Sequence, residues 1–165
     1  MLFNASEVYQ IAISVEENGE MFYREVCKRF DEKRDDNIIK LFNFLADAET
    51  LHKNTFEEML STFEEYEIEQ SFPEEYFVYL KKYIGNNLFT KEALKRSISK
   101  MVIVDDVIEF AKRRELDTIL FYQEIKNLVP EEQKEKIDYL IEQERDHFKR
   151  LSDLQLIVEE KTPLI

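Results

Sequence analysis

Two short stretches, Glu49-Thr50-Leu51-His52 and Glu144-Arg145-Asp146-His147, each set a carboxylate and an imidazole three residues apart, and together they use both histidines of the chain. On a helix that spacing puts the pair on one face, a single turn apart. Both pairs fall inside otherwise apolar stripes, where polar groups are costly unless something pairs with them. Two more glutamates, Glu16 and Glu115, lie on or at the margin of inward stripes elsewhere in the chain. Four carboxylates sharing one core cannot all stay ionised as bare groups. Two divalent cations would resolve this by neutralising the carboxylates, which can bridge them, with one nitrogen from each histidine completing the set. Such oxygen-rich ligation suits iron or manganese, or a mixed pair, and disfavours a closed structural zinc site.

The elements that must carry these residues follow from periodicity. A first helix is expected over about Ala5 to Phe30, with Asn4 as N-cap and Glu7 returning its carboxylate in a capping box. Val8, Ile11, Ala12, Val15, Gly19, Phe22, Tyr23 and Val26 form its buried face. A charged turn from Asp31 to Asp36 leads to a second helix, about Asp36 to Glu65, whose stripe of Ile38, Leu41, Phe42, Leu45, Ala48, Phe56, Met59, Leu60 and Phe63 is centred on Glu49 and His52. A third long helix is expected over about Asp106 to Leu128, capped by Asp105. Its inner face is Ile108, Ala111, Thr118, Ile119, Tyr122 and Ile125, with Glu115 among them. The fourth, about Pro130 to Val158, starts on a proline suited to a first turn. It buries Ile137, Leu140, Ile141, Leu151, Leu154 and Val158 around Glu144 and His147, and Glu159 to Ile165 reads as a flexible tail.

The halves repeat. Glu16-Glu17-Asn18-Gly19-Glu20-Met21-Phe22-Tyr23 aligns with Glu115-Leu116-Asp117-Thr118-Ile119-Leu120-Phe121-Tyr122, and the segment from Leu45 to His52 aligns with that from Leu140 to His147. Each half is a helix carrying Glu and Phe-Tyr, then a helix carrying Glu-x-x-His. Two helical hairpins related by a pseudo-twofold axis would bring the four inward glutamates and two histidines together. Between them, about Glu64 to Met101 reads as a long crossover with two short helices, about Pro73 to Ile84 and Lys91 to Ser99. Such a connection lets the second and third long helices run parallel. Its aromatics, Phe72, Tyr76, Phe77, Tyr79 and Tyr83, read as a packing face.

Composition agrees with an all-α chain of one domain, residues 1–158, since only 2 Gly and 3 Pro occur among 165 residues. A net charge of −13 argues against nucleic acid and anionic membrane surfaces as partners. The single Cys27 reads as a small buried hydrophobe in a reducing, cytoplasmic setting. The N-terminus lacks the pattern of a signal peptide, and no apolar run approaches the length of a membrane span. Lys112, Arg113 and Arg114 read as a solvated face.

A Glu from each of two helices with Glu-x-x-His from each of the other two is a known ligand set of dimetal carboxylate bundles. On these motifs the chain resembles the rubrerythrin-like branch of the ferritin-like diiron-carboxylate proteins, over about residues 5–30, 36–65 and 106–155. The resemblance implies a ferritin-like four-helix bundle with Glu16, Glu49, His52, Glu115, Glu144 and His147 as ligands of two iron ions. By helical periodicity Glu20 is the alternative to Glu16. The resemblance also implies that Tyr23 and Tyr122, each two turns after a ligand glutamate, orient carboxylates or donate electrons, although simple core packing explains them equally. Two departures bear on function. Peroxide-reducing rubrerythrins carry an additional glutamate one turn after the third-helix ligand, where this chain has Thr118. Rubrerythrins proper also carry a rubredoxin domain, and this chain has no cysteines for one.

The expected function is an oxidoreductase reducing hydrogen peroxide or dioxygen with electrons from a separate donor protein, with a homodimer suggested by family analogy. The alternatives are iron or manganese binding and storage without turnover, and a plain helical interaction module.

Overall fold

A computed structural model describes residues 5–30, 35–62, 74–86 and 90–161, and among these every regular element is helical. In chain order they are α1 (Ala5–Cys27), α2 (Asp36–Ser61), α3 (Glu74–Asn86), α4 (Lys91–Lys100), α5 (Val104–Ile125) and α6 (Lys134–Lys161), with a 3₁₀ turn at Glu131–Gln133 before α6. The long helices pair as two hairpins, α1 with α2 and α5 with α6.

Two apolar clusters show how the hairpins are arranged. One gathers Val8, Ala12 and Val15 of α1, Phe56 and Met59 of α2, Phe121 and Ile125 of α5, and Ile137 and Leu140 of α6. The other gathers Phe22 and Val26, Phe42 and Leu45, Ile108 and Ala111, and Leu151 and Leu154 from the same four helices. Chain order therefore runs from the first cluster to the second along α1 and α6, and from the second to the first along α2 and α5. Consequently α2 and α5 are parallel, and the chain must travel the length of the bundle between them. The short helices α3 and α4 do this. Tyr76 of α3 donates to Glu124 Oε2 at 2.8 Å and Tyr83 to the Asp117 carbonyl at 2.8 Å, which ties the crossover to α5. Leu80 and Leu94 enter the two clusters. Phe72 and the side chain of Phe77 lie outside the described residues.

Several boundaries differ from expectation for identifiable reasons. α1 stops at Cys27, and Arg29 and Phe30 close turns onto the Val26 and Cys27 carbonyls. α2 stops at Ser61, where Ser61 and Thr62 hydroxyls bond the Glu58 and Met59 carbonyls and satisfy the helix end; residues 63–65 lie outside the described residues. α3 runs on through Gly85 to Asn86, and α4 is capped by Thr90, which accepts from Ala93 N. α5 starts at Val104 and ends at Ile125, and its cap is not Asp105. Asp106, two positions inside, reaches back to accept from Val102 N at 3.1 Å and Ile103 N at 3.3 Å. Pro130 precedes the 3₁₀ turn, not the α-helix, and α6 continues past Val158 to Lys161. Asn4, the expected cap of α1, is outside the described residues.

Candidate metal centre

Between the two apolar clusters the four long helices cross a layer of buried polar side chains. Glu16, Glu49, His52, Arg114, Glu115, Thr118, Glu144 and His147 are all nearly inaccessible to solvent. Each sits where its helix passes from one cluster to the other, so the apolar packing above and below fixes the height at which they meet. Periodicity does the rest: residues three apart share a face, and all four stripes face one axis.

All six residues picked out by the sequence motifs converge there. Glu16, Glu49, His52 and Glu144 offer ligand atoms within 4.8 Å of one another, as do Glu49, Glu115, Glu144 and His147. The groups overlap in Glu49 and Glu144, the two Glu-x-x-His glutamates. Glu16 belongs to the first group, while Glu20 is half-buried outside both. Glu144 faces each histidine with a different oxygen, Oε1 at 2.8 Å from His52 Nδ1 and Oε2 at 3.0 Å from His147 Nδ1. The two imidazoles stack across the pseudo-twofold axis, with centroids 5.4 Å apart and an interplanar angle of 18°.

Distance alone would hydrogen-bond His52 to Glu144, but both atoms are among the buried polar atoms with no hydrogen-bond partner. Direction decides, because hydrogen bonds weaken steeply off-axis. Both Glu16 oxygens and Glu49 Oε2 likewise have no hydrogen bond, Glu16 Oε2 and Glu49 Oε2 lying 3.5 and 3.9 Å from His52 Nδ1. Five buried donor-capable or acceptor atoms on four converging side chains would be an expensive arrangement for a bare polar network. Cations sharing these atoms satisfy them, and the donor set of carboxylate oxygens and imidazole nitrogens fits two such ions.

The protonation of the metal-free layer points the same way. Burial and the charge of Glu49 hold Glu16 well above the usual carboxylate range. Burial and the charge of Glu144 push Glu115 up to about 7, against the pull of His147. Burial and Glu49 would raise Glu144 as well, but the adjacent His52 and His147 outweigh them and hold it at about 2. Burial opposes a charge on either imidazole. Glu144 nevertheless lifts His52 to about 12, and the nearby carboxylates of Glu115 and Glu144 lift His147 to about 10. Without metal, the imidazoles hold protons as the cations this layer requires.

The two tyrosines are not equivalent. Tyr23 donates its hydroxyl to Glu115 Oε1, crossing from α1 to α5. Tyr122, its counterpart in the repeat, packs against Phe56 at 5.3 Å between centroids, and its buried hydroxyl has no hydrogen-bond partner.

Arg114 corrects the expectation of a solvated face. Arg113 is exposed and Lys112 bonds Glu109 and Gln155, but Arg114 is buried in the polar layer. Its Nη2 lies 3.3 Å from the Val15 carbonyl and 3.3 Å from Glu49 Oε1. Glycine at position 19 makes the room, since a β-carbon there would lie 1.9 Å from Arg114 Nη2 and 2.8 Å from Glu49 Cδ. The available signal was Gly19 itself, a helix-interior glycine on a buried face that costs about 1 kcal/mol relative to alanine.

On the outer side, a cavity of about 450 Å³ between α2 and α6, lined by Phe44, Ala48, Leu51, Tyr139 and Leu140, reaches His52. No helix among the described residues is long and apolar enough to cross a membrane.

The sequence profile of rubrerythrin matches residues 7–155, a span that includes all six converging side chains. The chain belongs to the rubrerythrin family. A Thermotoga maritima protein described as a ferritin-like diiron-carboxylate protein has a similar crystal structure, at a TM-score of 0.63 and 28% identity, covering 92% of this chain and 94% of that one. The fold is thus that of a ferritin-like bundle. No match was found among curated proteins.

Proposed function

We propose that this rubrerythrin-family chain holds two metal ions, Glu16 and His52 on one, Glu115 and His147 on the other, with Glu49 and Glu144 between them. The observation that carries this is the overlap of the two ligand groups in those two glutamates, together with the unpartnered atoms they share. Iron is the favoured metal, in keeping with the description of the Thermotoga protein; manganese or a mixed pair fits the same donor atoms. The activity we assign is reduction of hydrogen peroxide or dioxygen, with electrons from a separate donor protein.

Bound iron supplies the capacity to pass two electrons to an oxidant at one place. The chain's own residues do the rest. Burial of the layer excludes water, and the cavity reaching His52 gives a small oxidant an approach from the α2–α6 side. Tyr23 fixes Glu115 through its hydroxyl and keeps a proton at Glu115 Oε1. Both imidazoles must give up their protons for the ring nitrogens to ligate, so loading releases protons.

A second reading is favoured by Thr118, whose buried hydroxyl is unpartnered at the position where peroxide-reducing relatives carry a further carboxylate. In that reading the layer stores iron or manganese without turnover. The test is metal analysis after iron supplementation, then peroxide consumption by the reduced protein against Glu49→Ala. Two ions per chain and a rate well above Glu49→Ala are expected. Two ions with no difference in rate would leave storage, and no bound metal would remove the dimetal assignment.

A further inference from the structure

The polar layer contains a cation that the pairing of motifs does not require. Four glutamates and two neutral histidines balance two divalent ions, and Arg114 then leaves the layer with one positive charge in excess. That charge is fixed. Guanidinium stays protonated in proteins, and Glu49 Oε1, 3.3 Å from Nη2, is its counter-charge. It also breaks the pseudo-twofold symmetry. In the repeat Arg114 corresponds to Val15 and Thr118 to Gly19, so α5 sends a long side chain across to α1 at the height where α1 has no side chain, and nothing equivalent returns. The two shared glutamates are therefore unlike. Glu144 presents one oxygen to each histidine, whereas Glu49 has Oε1 beside Arg114 and only Oε2 unpartnered. Arg114 Nε and Nη1 have no hydrogen-bond partner either. Buried guanidinium donors left over in this way suit an anion.

We propose that Arg114 is a positioning residue of the dimetal centre, which reserves Glu49 Oε1, leaves Oε2 to the metals, and adds a permanent positive charge favouring the reduced metals and an anionic added ligand. This inference rests on the dimetal reading above. A guanidinium serving only to fill the space over Gly19 would affect stability, not the affinity for anions or the reduction potential.

The test uses the iron-loaded full chain, with azide as the anion probe, in the wild type, Arg114→Gln and Arg114→Lys. Glutamine retains a donor for Glu49 without the charge, and lysine retains the charge. Metal content, the azide dissociation constant from the visible band of azide-bound ferric iron, and the midpoint potential are measured. In Arg114→Gln, azide affinity should fall about tenfold, a modest fraction of what one unit charge exerts at several ångströms in an effective dielectric of about 20. Its potential should fall too, because losing a positive charge favours the more highly charged oxidised metals. Arg114→Lys should stay at wild-type values in both. Two bound ions with wild-type azide affinity and potential in Arg114→Gln would overturn the inference and leave the dimetal reading intact. Equal losses in both variants would overturn the charge assignment in favour of guanidinium geometry. Wild-type protein binding fewer than two ions would remove the dimetal reading and this inference with it. If Arg114→Gln yields no folded protein, Arg114→Met, which keeps the length of the side chain without its charge, takes its place: lowered azide affinity and potential support the inference, and wild-type values overturn it.

Discussion

Replacing Gly19 by alanine separates local helix preference from tertiary packing by sign. Gly19 lies in the interior of α1, where alanine is favoured by about 1 kcal/mol, so helix propensity alone predicts stabilisation. The structure predicts the reverse. The new β-carbon would overlap Arg114 Nη2 at 1.9 Å, with Arg114 Cζ and Glu49 Cδ each at 2.8 Å. Yielding draws the Arg114 guanidinium off the Val15 carbonyl and away from Glu49 Oε1, both of which its Nη2 now meets at 3.3 Å. Breaking a buried ion pair from one side costs about 3–5 kcal/mol, and subtracting the propensity gain leaves a net loss of about 2–4 kcal/mol. For a chain of this size that is a drop in Tm of roughly 10 °C. The assay is thermal and urea unfolding of the metal-free protein, repeated in an Arg114→Ala background. There the guanidinium is gone and only the end of the Glu49 side chain is left to shift, so the Gly19→Ala penalty should shrink to within about 1 kcal/mol of neutral. Loading metal should shrink the loss in the single variant, because the ions then compensate Glu49. A Gly19→Ala protein as stable as the wild type, or the same penalty in both backgrounds, would refute the packing argument.

The remaining predictions concern the ligands and their neighbours. Glu115, raised to about 7 from the ordinary 4.5, binds its proton more tightly in the folded state. Its contribution is complete at pH 4.5 and lost as pH rises to 7, a decline of about 3 kcal/mol in the metal-free protein. Glu16 shifts the same way, and the histidines, raised above 6.5, lose their contribution at higher pH still. Metal-loaded protein should show the opposite slope over pH 5–7, because the ions displace those protons; thermal melts at matched ionic strength read both, and parallel slopes would contradict a metal in this layer. The tyrosines should respond unequally. Tyr23→Phe removes the hydroxyl held by Glu115 and should cost about 1–2 kcal/mol, while Tyr122→Phe removes an unpartnered hydroxyl and should be near neutral or stabilising. Equal losses on urea unfolding would mean that the repeat symmetry holds at the tyrosines after all.

Helical periodicity made the bundle legible because it is a local property: a residue's face depends on its neighbours three and four positions away. Glu49 with His52 and Glu144 with His147 could be placed on inner faces for that reason, and the repeat located Glu16 and Glu115 opposite them. The parallel course of α2 and α5 followed from a connection long enough to span the bundle. Helix ends were less legible, since Asp105 and Asp106 are equally plausible caps until the backbone direction before α5 is known.

What the sequence determined by itself was the type of chemistry, an inward set of four carboxylates and two imidazoles on four amphipathic helices. What only the tertiary structure decided was how the set is divided. It made Glu49 and Glu144 the shared pair, gave Tyr23 a carboxylate and Tyr122 none, and turned Arg114 from surface to core. The physical reason is that a long side chain at the margin of a stripe goes wherever another helix leaves room. For Arg114 that room is Gly19, on the neighbouring helix α1, and no periodicity within α5 could report it.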